Sequence, residues 1–209
     1  YPGEMRVTNT LYAGLQLVRP GEIAPCHRHS QTALRFIVEG EGAFTSVDGE
    51  RAWMQPGDFI VTPHGSWHDH ANEGDEPVVW LDVLDTPLVG FLDTVFRESY
   101  PAPRQQISVP DGTSPARFGA NMLPEGYAPA SLATPVFHYP YARSRAALVT
   151  LASAGQFDPW HGMRMQYVNP ANGDHATATM GAFLQYLPGG FRGKPFRSTE
   201  GILFCAVEG

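Results

Sequence analysis

The chain has 209 residues, of which 43% are hydrophobic and 17% are charged, a balance typical of a folded protein with a sizeable core. Its net charge of −7 argues against nucleic acid or an anionic membrane as a partner. No apolar run of about 18 residues occurs, so the sequence predicts no transmembrane helix.

The cysteines indicate a cellular compartment, and the chain ends indicate that the sequence is part of a longer protein. Cys26 and Cys205 are far apart and form no CxxC motif, which favours a reducing compartment, the cytoplasm. The sequence opens with Tyr1-Pro2-Gly3, without methionine, and stops at Val207-Glu208-Gly209, which resembles a strand entering a turn. We therefore expect a fragment of a longer protein.

Short strands separated by glycine and proline dominate the first part of the chain. Asp48-Gly49 is the strongest hairpin signal among the turns. The pattern lacks βαβ alternation and predicts an all-β fold, an antiparallel sandwich or barrel. The predicted strands are Leu11–Arg19, Thr32–Val38, Ala43–Val47, Arg51–Met54, Phe59–Thr62, Trp67–Ala71 and Val78–Leu84.

The composition changes after Pro87. Leu88–Arg97 fits a short helix, Pro101–Pro140 an extended connector with aromatic anchors, and Ala142–Ala154 a second helix. We predict an N-terminal barrel over residues 1–87, a connector over 88–146 and the start of a second barrel over 147–209.

An internal repeat at an offset of 169 residues supports that division. Leu15-Gln16 recurs as Leu184-Gln185, Gly21 as Gly190, and Val38-Glu39-Gly40 as Val207-Glu208-Gly209. At the same offset Phe196, Ser198 and Phe204 replace His27, His29 and Arg35. The second copy is therefore expected to bind no metal.

Five of the eight histidines fall between residues 21 and 72. The frame reads Gly21-x5-His27-x-His29, followed by Gly57-x5-Pro63-x-Gly65-x2-His68-x3-Asn72. Residues two apart on a strand share a face, so His27 pairs with His29 and His68 with His70. Pro25 and Pro63-His64-Gly65 are interpreted as turns before the two pairs. Three neutral imidazoles from two strands can bind a divalent transition metal and leave positions open. The alternative is ordinary surface or core histidines.

The two frames resemble the motifs of the cupin superfamily, small double-stranded β-helix barrels that often carry a metal. The second motif matches at every fixed position. The first motif differs at one position. Many metal cupins have a glutamate ligand at the position that corresponds to the neighbourhood of Ala33, but no acidic residue lies between Ser30 and Val38 in this chain. The resemblance therefore implies three histidine ligands: His27, His29 and His68.

The chain further resembles the gentisate 1,2-dioxygenase family, which includes relatives acting on salicylate and 1-hydroxy-2-naphthoate. The resemblance rests on the duplicated frame with a vacant second copy and on the stretches Arg35-Phe36-Ile37-Val38-Glu39-Gly40, Asp48-Gly49-Glu50-Arg51, Trp67-His68-Asp69-His70 and Trp80-Leu81-Asp82. It implies a duplicated (bicupin) barrel, a homotetramer, Fe(II), and cleavage of the ring between the carboxyl-bearing and the adjacent hydroxyl-bearing carbon.

Further site residues follow from strand parity and from this resemblance. Three histidines leave the metal charge uncompensated, which suits a chelating aromatic acid together with O2. Arg35 shares parity with Ala33 and Ile37, so it faces the cavity. It would pair with a substrate carboxylate or, alternatively, form a structural salt bridge to Glu39 or Asp82.

The other candidates have open alternatives. By resemblance His70 donates to substrate or oxygen without binding the metal, or it is a hydrogen-bonded strand histidine. Gln16 reaches the carboxylate or hydroxyl, or it packs, as its recurrence as Gln185 suggests. Asp82 orients Arg35 or a histidine ligand. Tyr12 helps to select the ring substituent. The remaining residues, His64, His138, His161, His175 and Cys26, are predicted to play no part in metal binding.

The leading hypothesis is thus an Fe(II)-dependent dioxygenase that converts gentisate and O2 to maleylpyruvate, with salicylate or 1-hydroxy-2-naphthoate as alternative substrates. A second hypothesis is another cupin reaction, decarboxylation or isomerisation with manganese or zinc. A third is a cupin that binds an aromatic acid without turning it over.

Overall fold

The computed structural model describes residues 6–209, so the opening Tyr1-Pro2-Gly3 lies outside the described residues. Each strand predicted before residue 87 is confirmed, with ends displaced by at most one residue. The strands of this part are β1 (Tyr12–Val18), β2 (Ile23–His29), β3 (Ala33–Glu39), β4 (Ala43–Val47), β5 (Glu50–Trp53), β6 (Phe59–Thr62), β7 (His68–Asn72) and β8 (Val78–Leu84). Of these, β2 carries the first histidine pair and had no predicted bounds.

Helices and shorter strands alternate after β8. The elements are α1 (Thr86–Phe91), β9 (Arg97–Ser99), α2 (Thr113–Phe118), β10 (His138–Tyr139), α3 (Tyr141–Ala152), β11 (Met163–Gln166) and β12 (Phe183–Tyr186). The helix predicted over Leu88–Arg97 is wrong in its bounds, because α1 starts earlier, with Pro87 in its first turn, and Arg97 begins a strand. No helix of the described part of the chain is long and apolar enough to cross a membrane.

Two five-stranded antiparallel sheets pack face to face and form the barrel. The arginine sheet has the order β1-β8-β3-β6-β10, and the histidine sheet has the order β5-β4-β7-β2-β9. The names refer to Arg35 on β3 and to the histidines on β2 and β7. Inward-facing apolar side chains fill the space between the sheets: Ile37, Val47, Ala52, Ile60, Val78 and Trp80. The all-β expectation is therefore confirmed.

The turn between β4 and β5 has the backbone that its sequence predicts. Asp48 and Gly49 both adopt positive φ, 44° and 89°, as the two central residues of a tight hairpin with the right-handed strand twist require. This hairpin sets the register of β4 against β5, with Val47 opposite Glu50. On its other side β4 pairs with β7, with Val47 opposite His68.

Pro25 is not a turn residue as predicted, because it lies within β2. The register of β2 against β7 shifts between Ala24 and His27, a bulge that tolerates the missing proline N–H. Downstream of the bulge, His27 lies directly opposite His68.

The outer face of the histidine sheet is covered by the connector. Asp69 is buried like its neighbours on β7, and its Oδ2 accepts a hydrogen bond from the Gln105 N–H at 3.0 Å. The Gln105 side-chain amide in turn donates to the Ser46 and Trp67 carbonyl oxygens. β7 is therefore buried on both faces, which rigidifies the strand that carries His68.

The repeated segment forms a separate two-stranded sheet of β11 and β12. At the offset of 169 residues β12 falls at the sequence position of β1, and both strands are followed by a turn glycine with nearly the same φ, 77° at Gly21 and 76° at Gly190. Residues 191–209 form neither helix nor strand, so the prediction that Val207-Glu208-Gly209 ends a strand is wrong.

Candidate metal centre

Three histidines from two paired strands converge on one point inside the barrel. His27 and His68 face each other across the β2–β7 pair with ring centroids 4.4 Å apart, and His29 lies 5.4 Å from His27 and 4.8 Å from His68. One ring nitrogen from each lies within 4.8 Å of the other two. The three predicted ligands thus form a cluster that can hold one metal ion.

Backbone carbonyls orient all three rings in the same way. Nδ1 of each lies at hydrogen-bond distance from a carbonyl oxygen: 2.8 Å for His27 to Pro25, 2.9 Å for His29 to Gln31, and 2.9 Å for His68 to Ser66. Because a carbonyl oxygen only accepts, each Nδ1 carries the proton and each Nε2 keeps its lone pair. This arrangement fixes the ligand tautomer before a metal arrives.

The Nε2 atoms of the three histidines are better explained as metal ligands than as polar atoms of an apolar core. His68 Nε2 is buried and has no hydrogen-bond partner, a costly state for a polar atom that a metal ligand bond would relieve. Among residues 6–209 the cluster contains histidines only, and the position near which a glutamate ligand was expected is the fully buried Ala33. The donor set suits a divalent transition metal with open positions.

Burial also keeps the imidazoles neutral. It lowers the pKa of His27, brings that of His29 to about 4, and brings that of His68 to about 2. The positive charge of Arg35 lowers all three pKa values further. The histidines are therefore ready to bind a metal without first losing a proton.

Arg35 is buried on the opposite sheet, and its positive charge acts on all three histidines. Its Nε lies 2.9 Å from Asp82 Oδ1, directly across the β3–β8 pair, and its Nη1 donates to Thr62 Oγ1. Burial lowers the pKa of Arg35, whereas the Asp82 carboxylate opposes that shift. The structural salt bridge considered as an alternative is therefore present, and the predicted role of Asp82 in orienting Arg35 has a geometric basis.

His70 is buried beside the three-histidine cluster and is not part of it. Its ring lies 5.9 Å from that of His68, and its Nδ1 is 2.9 Å from Thr45 Oγ1. Burial and the charge of Arg35 hold its pKa well below the usual value. His70 is thus a neutral group, positioned next to the three candidate ligands.

Gln16 and Tyr12 lie on β1, at the edge of the arginine sheet. Gln16 is half-buried and pairs in register with Trp80, while Gly14 pairs with Asp82. A β-carbon at position 14 would collide with the Tyr12 hydroxyl, so the Tyr12 side chain crosses that glycine. Both side chains therefore lie close to the strand that carries Asp82.

The histidines predicted to be structural lie elsewhere. His64 is exposed in its turn, and His138 and His161 contact Asp58 at 2.8 Å and Asp158 at 3.0 Å. His175 packs against Phe183. Cys26 is buried on the other side of β2 from His27, and burial together with Asp69 raises its pKa to about 12, so it stays a thiol.

Thr45, Thr62 and Trp80 are not among the predicted site residues, although Trp80 belongs to a stretch on which the family resemblance rests. The Trp80 indole N–H donates to Asp82 Oδ2 at 2.9 Å, and its ring centroid lies 5.3 Å from that of His70. Strand parity could have placed Trp80 beside Asp82, two residues away on β8. The contacts of Thr45 with His70 and of Thr62 with Arg35 depend on which strands pair, and the periodicity of a single strand does not predict that pairing.

Comparison with known proteins agrees with this geometry. Residues 14–84 match the cupin domain family model. Over 99% of its length the chain is 53% identical to a gentisate 1,2-dioxygenase of Aquipseudomonas alcaligenes and 42% identical to one of Ralstonia, covering 60% and 57% of them. It spans therefore about three fifths of the length of these relatives.

Solved structures give the same result. The salicylate 1,2-dioxygenase of Pseudaminobacter salicylatoxidans is 33% identical and superposes with a TM-score of 0.72 over 81% of this chain and 50% of that one. The same enzyme with bound gentisate gives a TM-score of 0.73 over 82% of this chain and 49% of that one. The chain therefore contains a cupin domain and is similar, over nearly its whole length, to gentisate 1,2-dioxygenases and to a salicylate 1,2-dioxygenase.

Proposed function

We propose that this chain carries the catalytic barrel of a dioxygenase that cleaves the ring of hydroxylated aromatic acids, with gentisate and O2 converted to maleylpyruvate. One observation carries the proposal: a cluster of three neutral histidines, without a carboxylate ligand, lies near a buried arginine whose charge acts on it. The relatives support it, since they are named for action on gentisate, 1-hydroxy-2-naphthoate and 5-aminosalicylate.

The metal would be Fe(II), held by His27, His29 and His68. When bound, ferrous iron supplies a site at which an aromatic chelate and O2 meet and exchange electron density. The three imidazoles contribute no charge, so the site favours an anionic chelating ligand over a neutral one.

The arginine sheet would supply the second contact for the substrate. The contacts to Asp82 and Thr62 use Nε and Nη1 of Arg35, which leaves Nη2 for a substrate carboxylate. Asp82 holds the guanidinium in place, and its charge lessens the penalty of keeping Arg35 buried before the substrate binds.

His70 and Gln16 would complete the cavity. His70, held through Nδ1 by Thr45, presents Nε2 as the nitrogen for a hydrogen bond to the substrate hydroxyl or to oxygen. Gln16 on β1 offers an amide to the same carboxylate or hydroxyl. Tyr12 would line the wall that accepts the ring substituent.

Salicylate and 1-hydroxy-2-naphthoate are the alternative substrates. They share the adjacent carboxyl and hydroxyl groups that the metal and Arg35 would engage, and enzymes named for both are among the relatives and solved structures. A protein that binds these acids without consuming oxygen is the remaining alternative.

We also propose that the whole protein is a bicupin, a cytoplasmic homotetramer in solution. The match between β1 with Gly21 and β12 with Gly190 supports a second barrel that begins near residue 147. The free state of Cys26 and Cys205 supports a reducing compartment.

The proposal is tested by oxygen uptake of full-length, Fe(II)-reconstituted protein with ascorbate, using gentisate, salicylate and 1-hydroxy-2-naphthoate in turn. We expect uptake with gentisate, and with labelled dioxygen both atoms in the product. Tight binding of an acid in air without uptake would support the binding protein instead. No uptake with any acid at full iron occupancy would refute the dioxygenase.

A further inference from the structure

The groups that would handle the substrate lie on different sheets, and one side chain contacts a residue of each sheet. Arg35 and Asp82 belong to the arginine sheet, whereas His70 belongs to the histidine sheet. Trp80 is fully buried on β8 and contacts Asp82 through its N–H and His70 through its ring.

The indole N–H determines how Asp82 is oriented. It donates to Oδ2 at 2.9 Å, so the other carboxylate oxygen, Oδ1, is turned toward Arg35 Nε, also at 2.9 Å. A carboxylate without this donor can rotate about its terminal bond, since that torsion is broad. Arg35 would then lose the fixed partner that sets its own orientation.

The ring of Trp80 sets the position of His70. The His70 ring is held at one edge by Thr45 and packs against the indole at a centroid distance of 5.3 Å and an interplanar angle of 54°. Trp80 is the bulkiest of the fully buried side chains in the described part of the chain, so it also keeps the two sheets apart at this level of the barrel.

We propose that Trp80 is a positioning residue that sets the spacing and orientation of Arg35 relative to His70. This inference rests on the proposed function, because it concerns how an aromatic acid is held between the two sheets. A ligand that reaches from the metal to Arg35 is sensitive to small displacements of either wall.

Two variants separate the two contacts. Trp80→Phe keeps an aromatic ring against His70 and removes only the N–H, so we expect the KM for gentisate to rise about tenfold with kcat within threefold, as for lost ground-state binding. Trp80→Leu removes the ring as well, so kcat should also fall about tenfold. Iron content should stay at the wild-type level in both variants. Trp53→Phe removes an indole hydrogen bond to Asp111 far from the cavity and should leave both constants unchanged.

A spectroscopic measurement tests the contact independently of turnover. In zinc-loaded protein with ¹⁵N-labelled tryptophan, Trp80→Phe identifies the Trp80 indole signal as the one that disappears. Asp82→Asn should move that signal upfield, because an amide is a weaker acceptor than a carboxylate. The Trp53 signal should not move. Circular dichroism establishes that each variant is folded.

The outcomes are distinguishable from failure of the proposed function. Wild-type protein that neither binds nor converts any of the acids overturns the proposed function and this assignment together. Active wild type with unchanged KM in folded, iron-loaded Trp80→Phe overturns this assignment alone. An indole signal that is insensitive to Asp82→Asn overturns it as well.

Discussion

The two sheets that enclose the site solve the problem of buried polar groups in opposite ways. The histidine sheet buries neutral imidazoles and orients them by backbone carbonyls, leaving a nitrogen without a partner at His68. The arginine sheet buries a charge at ion-pair distance from Asp82, although Arg35 Nε and Asp82 Oδ1 are not aligned for a hydrogen bond. The unpartnered nitrogen on the histidine sheet indicates a metal site. The buried arginine beside Asp82 on the arginine sheet indicates a binding group for an anion.

The two sheets are also coupled electrostatically. The positive charge of Arg35 contributes to the low pKa of all four cavity histidines, so the arginine sheet helps to keep the histidine sheet neutral. Substitutions on one wall should therefore be distinguishable from substitutions on the other by whether metal content changes.

The largest effect is expected on the histidine sheet. His68→Ala removes the ligand with the orphaned Nε2, so iron should be lost and oxygen uptake should fall to background. Metal content per chain and oxygen uptake measure this. His64→Ala is the matched control, since that histidine belongs to the same motif and is exposed. Full iron content in folded His68→Ala would contradict the ligand assignment.

On the arginine sheet, Arg35→Lys should reduce kcat/KM about 10- to 100-fold, the scale of a lost charge-assisted bond of about 1.5–3 kcal/mol. Lysine keeps the charge beside Asp82 and loses the planar fork. Iron content should be unchanged, which separates this wall from the other. Steady-state kinetics and metal analysis of Arg35→Lys test this prediction. A loss of iron equal to that in His68→Ala would show that the two sheets do not have separate roles in substrate and metal binding.

The pH dependence of metal binding tests the neutral state of the imidazoles. Exposed histidines begin to protonate near pH 6.5, whereas burial brings the pKa of His29 to about 4. Metal affinity of the apoprotein should thus be maintained through the pH range just below 6.5 and should fall as the pH approaches 4. Zinc titrations at stepwise lower pH measure it, and a steep loss already at pH 6.5 would argue against buried, neutral ligands.

The same shift has a consequence for stability. The folded-state pKa lies below the unfolded value, so the unfolded chain binds more protons once the pH drops below about 6.5. The stability contributed by these histidines is present above that value and is lost as the pH falls toward 4. Urea unfolding of the apoprotein at several pH values should show this decline.

The smallest effect is expected at the edge strand. Gln16→Ala should lower kcat/KM about threefold without change in iron content, because β1 contributes one uncharged hydrogen bond of about 0.5–1 kcal/mol. Gln185→Ala, its counterpart in the repeat, removes a donor to the His161 carbonyl and should leave kinetics unaltered. Equal effects of both substitutions on kcat/KM would assign Gln16 a packing role.

Strand periodicity grouped the histidines of each sheet strand into pairs, whereas the choice of His68 over His70 as a ligand came from the family resemblance. The HxH spacing placed His27 with His29, and parity placed Arg35 toward the cavity, because both follow from the two-residue period of a single strand. The bulge at Pro25 could not be predicted this way, since it depends on how β2 pairs with β7.

The partners of these residues required the three-dimensional register. Arg35 meets Asp82 and Thr62 only because β3 lies between β8 and β6. Trp80 and His70 come from opposite sheets, so no local pattern relates them. Gln105 belongs to a segment predicted as a connector, and its burial against β7 arises from contacts distant in sequence.

The central claim is that His27, His29 and His68 bind one iron ion and leave positions open for substrate. X-ray absorption at the iron edge of full-length, anaerobically reconstituted protein tests it most directly, before and after addition of gentisate. We predict three histidine nitrogens at about 2.0–2.2 Å, with light-atom scatterers in the remaining positions that rearrange when gentisate is added. Fewer than three histidines, or a spectrum unchanged by gentisate, would contradict the account.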